Sequence, residues 1–127
     1  NYITPRKDGR EMDGFTIYHN PRWGKSRQTL QLLRDNSIEP IIINYLIDIP
    51  SQNEIKSLAK KLGKRPAEFV RKGEKDFKEN TISNLLDNDQ EMVFAMHQYP
   101  KIIERPIVVK GDRAVLGRPP ENILELI

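Results

Sequence analysis

The order strand, polar loop, helix, strand in the first third of the chain limits the folds open to it. Phe15-Thr-Ile-Tyr18 is short, β-branched and aromatic, the composition of a strand. A Pro/Gly loop follows, and Ser26 can then cap a helix running to about Asn36. That helix places Leu30 and Leu33 on one face and Arg27, Gln31 and Arg34 on another. Pro40-Ile-Ile-Ile-Asn-Tyr-Leu46 is a continuous apolar run of strand length, as expected for a strand covered on both faces. At this spacing the three elements form a βαβ unit with a right-handed crossover.

The middle of the chain reads as helical. Ser51 and Glu54 match the Ser-x-x-Glu capping box, Ile55, Leu58, Ala59 and Leu62 follow at helical spacing, and Gly63 stops the helix. Pro66 starts a short helical turn through Phe69 and Val70, and Arg71 to Lys75 is a charged loop. Asp87, Asp89 and Glu91 suit the positive end of a further helix, whose apolar side comprises Met92, Val93, Met96 and the neighbouring Phe94. The Met92/Met96 pair is a core stripe, with His97 at its rim. Near the end, Pro106-Ile-Val-Val-Lys110, a turn at Gly111-Asp112 and Ala114-Val-Leu116 form a β-hairpin. A last helix after Arg118-Pro-Pro carries Ile123, Leu124 and Ile127. The order is βαβ, a helical insertion at about 50–100, then ββα. This is an α/β, thioredoxin-like order with a central mixed sheet flanked by helices. Residues 15–127 make one such domain, and residues 1–14, rich in charge with Pro5, Gly9 and Gly14, read as a surface arm or an expression remnant.

Composition narrows the chemistry. The 127 residues contain no cysteine, which excludes disulfide frameworks, thiolate metal sites and thiol catalysis. The two histidines, His19 and His97, lie far apart without carboxylate spacing around either, so no metal site is indicated. Net charge is +3, but the 21 basic residues are interspersed with 18 acidic ones, which argues against a nucleic-acid partner. No apolar run is long enough to cross a membrane and no charged-then-apolar leader is present, so the cytoplasm is the default compartment.

The loop from His19 to Arg27 has the most chemical content. A strand that enters a Pro/Gly loop and a helix N-terminus aims backbone N–H groups and the positive end of the helix dipole at one point. That geometry suits an anion or a thiolate, and Arg22, Lys25 and Arg27 add positive charge. At its centre stands Trp23, which cannot act as a nucleophile. The plainer alternative is that Asn20 to Ser26 is only a helix cap, since caps far outnumber anion sites. His19 beside an apolar strand is more often a satisfied structural histidine than a base.

Four pieces of the chain carry a family resemblance. They are Tyr18-His-Asn-Pro-Arg-x-x-Lys-Ser-Arg27, Val70-Arg71-Lys72, Glu104-Arg-Pro-Ile-Val-Val109 and Leu116-Gly-Arg-Pro119. From Thr16 to Ile127 the chain resembles the arsenate reductase family of thioredoxin-like proteins, the glutathione- and glutaredoxin-coupled type that also includes the Spx-type regulators. The resemblance implies an oxidoreductase in which a cysteine thiolate, its pKa depressed by the helix N-terminus and nearby cations, attacks arsenate. Glutathione and glutaredoxin then reduce the arseno-cysteine, and no cofactor is bound. Arg71, Arg105 and Arg118 correspond to the three arginines that hold the oxyanion, a task suited to their planar forks. Asn20, Lys25, Ser26 and Arg27 belong to the same anion-binding loop, His19 corresponds to the histidine flanking the nucleophile, and Pro106 to the cis-proline facing the loop.

One departure is specific: Trp23 occupies the position that corresponds to the nucleophile. The family's thiol mechanism is then not available to this chain, and Ser26, the nearest hydroxyl, cannot cycle through a disulfide. Three functions fit. The first is a non-catalytic family member, a pseudoenzyme, that binds a small oxyanion, glutathione or a thiol peptide. The second is a glutaredoxin-coupled reductase whose cysteine is absent from this chain. The third is an Spx-like regulator with RNA polymerase as its partner.

Overall fold

A computed structural model describes residues 14–127; the arm expected over residues 1–14 lies outside the described residues except for Gly14. The chain divides into two compact units, one ending at Asn44 and completed by Arg105–Ile127, the other Tyr45–Glu104.

The first unit is built on a four-stranded sheet in the order β2-β1-β3-β4, from β1 (Phe15–His19), β2 (Ile41–Asn44), β3 (Ile107–Lys110) and β4 (Arg113–Leu116). β2 runs parallel to β1 with Ile17 opposite Ile42, while β3 pairs antiparallel with β1, Ile17 opposite Val108. β3 and β4 close the hairpin, Val108 opposite Val115. The parallel pair is joined through helix α1 (Gly24–Asp35), and the whole is the mixed sheet of a thioredoxin-like α/β fold. Phe15 and Ile17 point to one face by strand alternation and meet Leu30 and Leu33 of α1, Val108 of β3, and Ile38. Burial of each such side chain stabilises the unit by about 1.5–3 kcal/mol.

The run Pro40–Leu46 is not a strand covered on both faces: β2 spans only Ile41–Asn44 at the sheet edge, with Ile41 47% and Ile42 42% exposed. A short apolar run reads alike for a buried and an edge strand, so sequence could not separate them. The last element is a 3-10 segment, Pro120–Leu126, in place of an α-helix. Its three-residue turn buries Ile123 and Leu126 and leaves Leu124 and Ile127 exposed, whereas α spacing had grouped Ile123, Leu124 and Ile127.

Gly117, just after β4, is constrained by close approach. A Cβ at this position would lie 2.7 Å from Thr29 Oγ1 and 2.8 Å from the Pro106 ring. The same contact is polar as well, since Thr29 Oγ1 donates to the Gly117 carbonyl and Gly117 N donates to the Pro106 carbonyl at 2.8 Å.

The second unit contains α2 (Gln52–Leu62), α3 (Lys75–Glu79) and α4 (Asp89–Gln98), with 3-10 turns at Pro66–Phe69, Ile82–Leu85 and Pro100–Ile102. Ser51 Oγ accepts from Glu54 N at 3.1 Å and so caps α2. Gly63 ends it in the left-handed region at φ 66°, which only glycine adopts without a Cβ penalty. Asn88 caps α4 in the same way, accepting from Glu91 N. α2 packs against α4, burying Ile55, Leu58, Met92 and Met96. Phe94 does not join them: it is 50% exposed, because two residues on from Met92 a helix has turned by about 200°. His97 is half-buried and donates from Nδ1 to the Pro50 carbonyl at 2.8 Å. Among the described residues no helix is long and apolar enough to cross a membrane.

Two substitutions test this packing. Gly117→Ala should destabilise the protein by about 1–3 kcal/mol, because neither a proline ring nor a helix-borne threonine can retreat far; urea unfolding reads the loss, and a neutral result would show that the contact relaxes. Ser51→Ala should cost about 1 kcal/mol through the exposed Glu54 N–H, read as a lower thermal midpoint.

Candidate functional site

β1 delivers His19 and Asn20 into a turn rather than into further strand. Asn20 Oδ1 accepts from Arg22 N at 3.0 Å and the Asn20 carbonyl accepts from Trp23 N at 3.1 Å, the local bonding that makes asparagine a turn residue. Trp23, in extended backbone, is the N-cap of α1 and makes no side-chain cap bond. Its carbonyl accepts from Arg27 N at 3.0 Å. Ser26 was expected to cap this helix and does not. It lies inside the first turn, fully buried, and its hydroxyl turns back on the loop. There Oγ accepts from Asn20 N at 3.0 Å and sits 2.7 Å from His19 Nδ1.

His19 is 6% exposed. Burial holds its pKa below the ordinary 6.5, and the charges of Arg34 and Arg27 lower it further. The ring is therefore neutral near neutral pH. In that state the Ser26 O–H donates to Nδ1 and the ring proton lies on Nε2, an assignment that follows from the hydrogen-bond network.

Arg105 is buried, 2% exposed, and its guanidinium carbon lies 3.9 Å from the centre of the Trp23 ring. This is a cation–π stack on an indole that remains 45% exposed. The Arg105–Pro106 peptide is cis, as is Arg118–Pro119. Arg118 is exposed, and its carbonyl accepts from Asn122 Nδ2 at 3.2 Å. Arg22 on the loop and Lys25 in the first turn of α1 are exposed, while Arg27 folds back and donates from Nη1 to the Pro21 carbonyl at 2.9 Å. Arg71 belongs to the second unit, where it is half-buried and ion-paired with Glu104 at 2.9 Å and Glu74 at 3.4 Å.

The structure thus brings together His19, Asn20 and Ser26 through one hydroxyl, and Trp23 with Arg105 through one stack. The Ser26 hydroxyl is buried and engaged by His19 and Asn20, and the chain has no cysteine. No group of three or more His, Asp or Glu able to hold a metal ion occurs among the described residues. Sequence reading did not single out Thr29. This fully buried side chain donates to the Lys25 carbonyl at 2.8 Å and reaches Gly117 as well. The available signal was a threonine one helical turn before Leu33 on the inward face. Arg34, whose charge acts on His19, stands in the sequence only as one of the polar residues on the face of α1 away from Leu30 and Leu33.

Comparison with known proteins supplies the lineage. The ArsC family model matches residues 18–126. The chain is 44% identical over 112 residues to an arsenate reductase of Haemophilus influenzae, covering 87% of this chain and 97% of that protein. It is 41% identical over 112 residues to the uncharacterized protein YfgD of Escherichia coli, covering 87% and 94%. Among solved structures, an arsenate reductase from Vibrio cholerae superposes with a TM-score of 0.85 at 42% identity, over 89% of this chain and 97% of that one. A family match across nearly the whole described chain, in agreement with relatives well above 30% identity, establishes that this protein belongs to the ArsC family.

Proposed function

We propose that this chain is an arsenate reductase-family protein that does not reduce arsenate by the thiol route, with Trp23 standing where the nucleophile would be and closing the anion site over Arg105. Thiol-dependent reduction of arsenate passes two electrons from sulfur through an arseno-cysteine and a disulfide. This chain contributes no sulfur nucleophile, because its cysteine count is zero. Ser26 cannot substitute, since a hydroxyl has no disulfide state to pass through.

The observation that carries the reading is the indole at 3.9 Å from the Arg105 guanidinium. A cation–π contact between a buried cation and a half-exposed ring is worth about 1–2 kcal/mol. An oxyanion, glutathione or a thiol peptide that sought Arg105 on that face would first have to displace the ring. The neutral His19 adds no positive charge to the loop, so attraction for an anion there comes from the helix dipole and the exposed Arg22, Lys25 and Arg27.

In a glutathione- and glutaredoxin-coupled assay the protein should form no arsenite, and Trp23→Cys should gain turnover. Arsenite formation by the unsubstituted chain would sink the proposal. Trp23→Ala should bind arsenate or phosphate about tenfold tighter in calorimetry, the equivalent of about 1.4 kcal/mol. Equal affinity would remove the closing role given to the indole.

His19 gives a pH dependence of definite sign. Its folded pKa lies below 6.5, so the unfolded chain takes up the proton first as pH falls. The stability that the neutral ring contributes is complete above about pH 6.5 and declines below it, toward the folded value. The urea midpoint should drop between about pH 7 and about pH 5.5, and His19→Asn, which keeps an acceptor near Ser26, should flatten that slope.

A further inference from the structure

The second unit carries two adjoining clefts along the seam of α2 and α4. One, about 360 Å³, has a floor of Ala59, Pro66 and Val93 and a rim that includes Lys56, Lys64 and Arg65. The other, about 350 Å³, is lined by Asn88, Glu91 and Phe94 among others, and Gln90 borders both. Phe94 is 50% exposed although its helix neighbours Val93 and Ala95 are buried, so the core of this unit gives no reason for a large apolar side chain there.

Charge is distributed unevenly along the seam. Arg65 is matched by Asp89, at 2.9 Å. Lys56 and Lys64 are exposed and make no ion pair among the described residues. The remaining acid, Glu91, lies in the cleft that holds Phe94. Uncompensated positive charge is therefore confined to one end, while the exposed apolar side chain, Phe94, lies at the other.

We propose that this seam docks an acidic segment of a partner protein, its carboxylates on Lys56 and Lys64 and an apolar side chain against Phe94. A uniform polyanion such as nucleic acid is the poorer occupant. It needs a continuous run of cations, and here Asp89 and Glu91 interrupt it. A carboxylate-bearing peptide with apolar side chains matches both ends at once.

The test uses a short fluorescent peptide carrying glutamates at one end and leucine and phenylalanine at the other, followed by anisotropy at low salt. It should bind saturably, and amide shifts in the NMR spectrum should fall on α2 and α4. Lys56→Glu/Lys64→Glu should weaken binding roughly tenfold, and Phe94→Ala should weaken it while leaving salt dependence unchanged. All three positions are exposed, so these variants keep their fold, and Lys72→Glu serves as a charge control elsewhere in the unit. The proposal is overturned by absence of binding, by an equal loss in Lys72→Glu, by equal binding of polyglutamate or a single-stranded oligonucleotide, or by self-association of the protein through Phe94.

Discussion

A strand paired on both edges is the constraint on which the first unit depends. β1 has β2 on one side in parallel and β3 on the other in antiparallel, so its backbone groups are committed to ladders over its length. With the strand fixed in this way, the residue at which it ends is fixed too. His19 and Asn20 emerge where the ladders stop, and a single hydroxyl, that of Ser26, ties both to the first turn of α1. Thr29, Gly117 and Pro106 then bring the start of the helix and the far end of the hairpin into contact too close for a methyl group. The loop's shape follows from these bonds, and its chemistry follows from what they leave unused.

Much of the fold was legible because local signals agreed with one another. The β-branched run at Phe15, the turn at Gly111-Asp112, the Ser51 cap and the left-handed Gly63 each report a local preference that tertiary packing does not override. The failures share a cause. Ser26 stood where a cap belongs, but cap position is set by backbone geometry at Trp23, and the hydroxyl had buried partners to satisfy. The isoleucines of β2 and the isoleucine and leucines after Pro120 are apolar in any setting, and only the sheet edge and the 3-10 turn decide which of them face water. The candidate site was legible to the extent that the loop was. Its stack joins Trp23 to a residue near the other end of the chain, and no periodicity reports such a contact.

Electrostatics separates the arginines more sharply than their residue type does. Arg71 is held by two carboxylates and Arg105 is buried beneath an aromatic face, while Arg118 is exposed. Taking a guanidinium out of water costs several kcal/mol unless something polarisable or charged meets it. The indole meets part of that need for Arg105 without introducing a negative charge. An aromatic partner can thus keep a cation buried where a carboxylate would neutralise it.

The stack also has an optical consequence. Trp23 is the single tryptophan of the chain, so every photon of indole emission originates at the surface that covers Arg105. Movement of that ring away from the cation, whether by ligand, partner or unfolding, would change the polarity around one chromophore with no background from a second. The side chain that covers Arg105 is therefore its own spectroscopic probe.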